Sequence, residues 1–235
     1  MRTSLVHRSS LREQLMEALR DELVTGRMPP GRHYTAREIA DHYGVSATPV
    51  REAMVQLAAE GLLEASHLRG FAVRRVEREE FDAILAARDA VLRGQLVQLD
   101  GGLPEVAADP LASVRRRAQA ARDAAQGGRL DVIVVSDLRF WREFAGLFGN
   151  QHLSRFLAGL RSQAWLHMVP RLRGRGDLAG LYWQRQPELV SVFGSGDADG
   201  VQELLGDYRR SVVEIADRYA TIVNQPATGG SSHGV

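Results

Sequence analysis

Residues 44–64 read GVSATPVREAMVQLAAEGLLE, a turn followed by an amphipathic helix with its chemistry at the front. Ser46, Thr48 and Arg51 stand at the helix entrance, and the apolar residues are kept for the rear. A helix N-terminus offers free N–H groups and the positive end of the helix dipole, and both favour phosphate. Short hydroxyls such as those of Ser46 and Thr48 can bond phosphate without holding the backbone away. Arg51, one turn further in, has the planar fork that matches guanine O6 and N7 in a major groove. The plainer alternative is a capped surface helix, because Ser46 is also a good N-cap. Pro49 falls near N3, where its missing N–H costs little.

A second group of residues puts charge on apolar helix faces. Asp137 shares a stripe with Trp141, Phe144 and Phe148, at i+4, i+7 and i+11. Arg88 shares one with Phe81, Leu85 and Leu92, and Tyr208 lies among Val201, Leu204, Leu205, Val212 and Ile215. An unpaired charge buried there costs several kcal/mol, so each must be paired or must border a cavity. One expectation is a structural Arg88–Asp137 salt bridge in a filled core. The other is a metal-free effector pocket in which Arg88 meets an anionic group and Trp141 and Tyr208 wall an organic ligand.

The elements that carry these residues follow from periodicity and punctuation. Leu11, Leu15, Ala18, Leu19 and Leu23 give the period of an amphipathic helix over 11–24, closed by Gly26 and Pro29-Pro30-Gly31. Thr35 and Glu38 form a capping box for a short helix that runs to Tyr43 and stops at Gly44. Ser46 is expected to cap the next helix, which continues to Glu60 and ends at Gly61. Extended stretches at Leu62–Ala65 and Phe71–Val76 flank a turn at 66–70, so the first 76 residues predict a winged helix-turn-helix.

Beyond Glu77 no strand pattern stands out. Helical periodicity covers 77–99, 111–126, 130–148, 151–172, 180–194 and 197–223, separated by Gly-rich breaks. The expected fold is mostly α: a winged helix-turn-helix over 1–76, then an all-α helical-bundle effector domain over 77–223. The Gly/Ser-rich tail 224–235 is expected to be disordered.

At this point the segment GRMPPGRHYTAREIADHYGVSATPVREAMVQLAAEGLLEASHLRGFAVRRV resembles the N-terminal domain of the GntR family of bacterial transcription regulators. The resemblance rests on G-x-x-x-P-G, I-A-x-x-x-G-V-S, T-P-V-R-E-A, L-x-x-E-G-L and R-G-F-x-V in that order. It implies DNA contacts at Arg37, Ser46, Thr48 and Arg51, and at Arg69 and Gly70 in the wing. Where the family usually has an arginine after the motif serine, this chain has Ala47.

The helical part resembles the FCD-type ligand-binding domain of the FadR-like subfamily, through DLRFWREFAGLFGN and GDADGVQELLGDY. Many members hold a divalent metal with one aspartate and three histidines. The resemblance keeps Asp137 but puts Trp141, Gln186 and Tyr208 at the histidine positions. Trp has no lone pair and Gln or Tyr only a weak one, so neither a metal nor another cofactor is expected, and the five residues Arg88, Asp137, Trp141, Gln186 and Tyr208 become the expected effector site.

Composition bounds the alternatives. The 235 residues are 44% hydrophobic with a formal net charge of +1, and all 30 basic side chains are arginine. No cysteine is present, which excludes disulfides, thiolate metal sites and cysteine nucleophiles. No apolar run approaches the roughly 20 residues of a membrane span, and the first ten residues lack a secretory h-region, so a cytoplasmic protein is expected. No H-E-x-x-H, G-x-S-x-G, P-loop or dinucleotide fingerprint occurs, and Asp137 is the only candidate base.

The leading expectation is a sequence-specific regulator, a repressor by family habit. It would act as a homodimer on a palindromic operator in double-stranded DNA, under the control of a small anionic effector. The alternatives are a regulator without an effector, whose helical domain only dimerises, and an enzyme built on the helical domain.

Overall fold

The computed structural model describes residues 11–66, 69–99 and 102–220. Helix α1 (Leu11–Val24) buries Leu15, Leu19 and Leu23 at i, i+4 and i+8, as its period requires. Helix α2 (Ala36–Tyr43) opens with the expected capping box. The Thr35 hydroxyl accepts from the Glu38 N–H at 3.1 Å, and the Glu38 carboxylate accepts from the Thr35 N–H at 2.7 Å. It stops at Gly44 in the left-handed region, φ +66°.

Helix α3 (Ala47–Ala59) buries Val50, Ala53, Met54 and Leu57 and leaves Ala47, Thr48, Arg51, Glu52 and Val55 exposed. Strands β2 (Leu63–Ser66) and β3 (Gly70–Val73) form the antiparallel wing, and the turn residues 67 and 68 lie outside the described residues. A third strand, β1 (His33–Tyr34), pairs with the other side of β3, giving the order β1-β3-β2. Two residues are too few to show a period, so this strand left no signal in the sequence. Gly70, at φ +82°, lies where any Cβ would run into the Tyr34 carbonyl, so the close pairing of β1 with β3 requires glycine there.

Residues 74–77 carry no regular structure and lead into the bundle. Its helices are α4 (Arg78–Gln98), α5 (Ala108–Gly127), α6 (Leu130–Gly146), α7 (Gln151–Leu172), α8 (Gln186–Gly194) and α9 (Ala198–Arg218). Six helices were expected, and six are found among the described residues.

Two of their boundaries need correction. The segment 180–185 is not helical, because Pro187 belongs in a first turn and α8 can begin only just before it. Helix α5 begins at Ala108 rather than 111, with Pro110 accommodated in its first turn. Helix α9 ends at Arg218, and the tail 224–235 lies outside the described residues.

Helix α7 is the centre of the molecule. It packs on α6 and α4 within the bundle and on α1 of the winged-helix unit. From Ala164 to Val169 every residue is buried, the mark of a helix enclosed on all sides. The apolar core consequently runs from Leu15 and Leu57 through Val169 to Phe193 as one cluster.

Candidate nucleic-acid interface and buried polar centre

The turn Gly44-Val45-Ser46 sets the N-terminus of α3 against solvent. Arg37, Ser46, Thr48, Arg51 and Arg69 are all exposed, and Gly70 is half-buried. Arg37, Arg51 and Arg69 form no ion pair or hydrogen bond among the described residues. Their charges are thus available to an external anion. Ser46 has the N-cap backbone conformation, φ −76° and ψ 153°, but its hydroxyl makes no cap hydrogen bond. This corrects the expected cap: the hydroxyl is left for a partner outside the helix. Arg74, by contrast, is structural. It pairs with Glu80 and donates to the Gly61 carbonyl at 3.2 Å, tying the wing and the end of α3 to the start of α4.

The second group of residues does meet, but around an arginine that sequence reasoning missed. Asp137 pairs with Arg161, not with Arg88. Nη1 of Arg161 donates to the two carboxylate oxygens at 2.9 and 2.7 Å, with both side chains almost fully buried. Trp165 Nε1 donates to the same carboxylate at 2.8 Å and the Tyr182 hydroxyl at 3.2 Å. Arg161 Nη1 also donates to the Tyr208 hydroxyl at 2.8 Å, which lies 3.0 Å from that of Tyr182.

Each hydroxyl has one proton. Since Tyr182 gives its proton to Asp137, the Tyr208 hydroxyl must donate to Tyr182, and the four groups close a ring. Burial, and then the neighbouring Asp137, push the Tyr182 phenol well above its ordinary range, which keeps it a donor. Burial pulls the Arg161 guanidinium down, but Asp137 more than offsets this and its pKa is raised.

Arg161 also stacks 4.3 Å from the Trp141 ring centroid and 4.9 Å from that of Tyr208. Asp137, Trp141 and Tyr208 are thus in one centre and Arg88 borders it, with its Cζ 5.7 Å from the Tyr208 ring. Gln186 is fully buried, yet its amide donates to the Trp183 carbonyl at 2.8 Å and it makes no bond to Asp137 or Tyr208. Arg161 escaped notice because one arginine in QHLSRFLAGLRSQAWLHMVPRL is unremarkable in a helix with no apolar face.

The centre does not fit the family's divalent metal. The Asp137 oxygens already accept from Arg161, Trp165 and Tyr182, and a guanidinium stands beside the carboxylate where a cation would have to bind. Trp141 has no lone pair for a metal.

Helix α7 connects this centre to the winged-helix unit at three main-chain carbonyls. Gln163 Nε2 donates to Glu60 O at the end of α3 at 2.8 Å. His167 Nδ1, 2.8 Å from Val76 O, must carry its proton there, because a carbonyl can only accept. Arg173 donates to Thr25 O at the end of α1. His167 also stacks on Phe81 with ring centroids 4.3 Å apart.

Residues 11–73 match the model described as "Bacterial regulatory proteins, gntR family". Residues 11–73 therefore carry a helix-turn-helix domain of the GntR family. The chain is 31% identical over 148 residues to a "Probable D-xylose utilization operon transcriptional repressor" of Paenarthrobacter nicotinovorans, covering 63% of this chain and 64% of that one. It is 24% identical over 163 residues to the HTH-type transcriptional regulator McbR of Escherichia coli (strain K12), covering 69% and 71%. The match to the first of these relatives therefore spans just under two thirds of its length.

Among solved structures, E. coli McbR/YncC superimposes with a TM-score of 0.73 at 21% identity, over 90% of this chain and 99% of that one. A GntR regulator from Rhodococcus sp. RHA1 gives 0.69 at 20% identity, over 88% and 98%. The chain thus shares the fold of these two solved structures, helical part included.

Proposed function

We propose that this chain is a sequence-specific DNA-binding transcriptional regulator of the GntR family, and by the family's habit a repressor. We divide it into a DNA-binding unit over 1–76 and a helical unit over 77–223 that dimerises the chain and governs the first. The observation that carries the reading is the exposed entrance of α3, where Ser46, Thr48 and Arg51 have no partner of their own among the described residues. Arg51 would read guanine, Ser46, Thr48 and Arg37 would hold phosphate, and Arg69 would follow the backbone from the wing. Gly70 serves by allowing the β1–β3 approach that shapes the wing.

One winged helix offers a small, wet interface, so two copies on a palindrome are needed for useful affinity at physiological salt. The test is selection of operator DNA from a random pool, followed by a mobility shift with Arg51→Ala. The variant should bind about 10- to 100-fold more weakly per half-site with its helix content unchanged. Wild-type affinity would remove Arg51 from the contacts.

The helical unit is read as the regulatory part, with Asp137, Trp141 and Tyr208 at its centre, Arg88 at the border and Gln186 beneath Trp183's carbonyl. An enzyme reading has little to stand on, because Asp137, the one candidate base, is committed to four hydrogen bonds. One observation favours a regulator without an organic effector: the cavities beside the centre measure about 10 and 20 Å³, room for a water-sized species only. A metabolite panel read out by operator release separates the two. Release by any organic acid supports an effector that opens the centre, and no release by any member supports the second reading.

A further inference from the structure

The winged-helix unit and the helical bundle meet along a groove of about 640 Å³. Glu17 and Arg20 of α1 and Gln56 and Ala59 of α3 form one wall. Leu138 and Arg142 of α6, with the stretch of α7 around Gly159, form the other. None of Asp137, Trp141, Arg161 and Tyr208 lines it, so the groove is separate from the buried polar centre. Its volume lies within the roughly 300–1,000 Å³ of sites for small organic molecules.

Three side chains on these walls have bonding capacity or surface to spare. Arg155 is exposed and forms no ion pair among the described residues; its Nε donates only to its own helix, to the Gln151 carbonyl at 3.4 Å. Arg20 spends Nη2 on Glu60 at 2.7 Å, but its Nε is buried without a hydrogen bond. Phe156 keeps its ring 51% exposed, in a groove whose other large apolar residues are Leu138 and Leu160. The hollow is kept open at Gly159, where an added Cβ would meet no atom within 4 Å. No neighbour requires glycine there, and glycine inside a helix costs stability relative to alanine. Arg20, Arg142 and Arg155 line the groove with Glu17 and Glu60, three guanidinium groups against two carboxylates. One positive charge and unused N–H donors beside an apolar surface call for one negative charge on an apolar body.

We propose that this groove binds an aromatic monocarboxylate. Its carboxylate pairs with Arg155, and Arg20 Nε is a second donor on the α1 wall. Its ring lies against Phe156 and Leu160, in the space that Gly159 leaves empty. Paired aromatic rings attract beyond the area they cover, so the open Phe156 ring favours an aromatic body over an aliphatic one. Gln163 and Glu60 also line the groove, so a molecule there touches both units beside the bond that joins them. It acts on how the two units are held together and leaves the bundle centre closed. The site does not depend on the DNA-binding reading, and its test uses no operator.

The test uses the full chain and 4-benzoylbenzoate, an aromatic carboxylate that crosslinks to its neighbours under light. Thermal unfolding should show a saturable rise in Tm, roughly 5–10 °C at a hundredfold excess over Kd. Photolabelling should mark Gln56, Phe156 or Leu160, and benzoate or phenylacetate should compete it away. Gly159→Leu fills the hollow where no atom stands in the way, so it should unfold no earlier than the wild type and lose both responses. Arg155→Ala should keep the fold and raise Kd about tenfold or more. No saturable shift and no labelling in the wild type would overturn the proposal, and so would an unchanged Kd in Arg155→Ala. Labelling that survives Gly159→Leu, or that falls on Leu92, Trp141 or Tyr208, would overturn it too and put the ligand inside the bundle.

Discussion

The side-chain amide of Gln163 donates to the main-chain carbonyl of Glu60 at 2.8 Å, joining the middle of α7 to the C-cap residue of the helix proposed to enter the groove. Arg161, two positions earlier, points to the other side of α7, into the Asp137–Tyr208 ring. One helix therefore carries the buried polar centre on one face and the DNA-binding unit on the other. A ligand that prefers one position of α7 has a direct mechanical route to α3, and only such unequal preference can shift the balance of states.

Gln163→Ala should remove that route at modest cost. A neutral side-chain bond to a half-buried carbonyl contributes about 1 kcal/mol, and urea unfolding of the variant should show a loss of that order. Amide exchange at Gly61 and Leu62 should quicken with it, since among the described residues the side-chain ties left at the end of α3 are the Arg20–Glu60 pair and the Arg74 bond to Gly61, beside the main-chain bonds of Gly61 and Leu62. Unchanged exchange would place the coupling elsewhere.

Asp137→Asn should be costly in a way that its size does not suggest. The substitution keeps the shape but leaves Arg161 and Arg88 buried together without any counter-charge, and breaking a buried pair in this way costs about 3–5 kcal/mol. A fall of that order in chemical denaturation, larger than for Gln163→Ala, is the expected result. A loss below about 1 kcal/mol would mean that the centre stays hydrated and the charge count does not govern it.

The winged-helix unit was legible in the sequence because its signals are local. The Thr35–Glu38 box, the left-handed stop at Gly44 and the i, i+3, i+4, i+7 burial of Val50, Ala53, Met54 and Leu57 each depend on neighbours within one turn or two. The exposed positions Arg37, Thr48 and Arg51 follow from the same period. The centre of the bundle was half legible: the apolar stripes of Asp137 and Tyr208 marked them as buried polar groups, but not whom they would meet.

Arg161 lies in a helix whose apolar residues gather on no single face, so no stripe separates inward from outward positions. Its pairing with Asp137 is a long-range fact, 24 residues apart, and the stripe that Arg88 shares with Phe81 and Leu85 drew the pairing to the wrong arginine. The interdomain bonds of Gln163, His167 and Arg173 all end on main-chain carbonyls, which carry no sequence identity at all.

His167 gives the fold a pH dependence with a definite sign. Burial pushes its pKa down from 6.5 to about 4, against the raising influence of the bond to Val76, with Arg171 lowering it further. The folded state thus holds the ring neutral, whereas the unfolded chain takes up a proton below about 6.5. Its contribution is fully present above pH 6.5, is lost progressively as pH falls towards 4, and changes no more below that. At about 1.4 kcal/mol per pH unit the whole loss is about 3 kcal/mol. His167→Asn retains an N–H for Val76 but cannot titrate in this range. Denaturation at several pH values between 4 and 6.5 should therefore give a steeper fall for the wild type than for His167→Asn. Parallel slopes would show that the ring is not held neutral at the junction between wing and bundle.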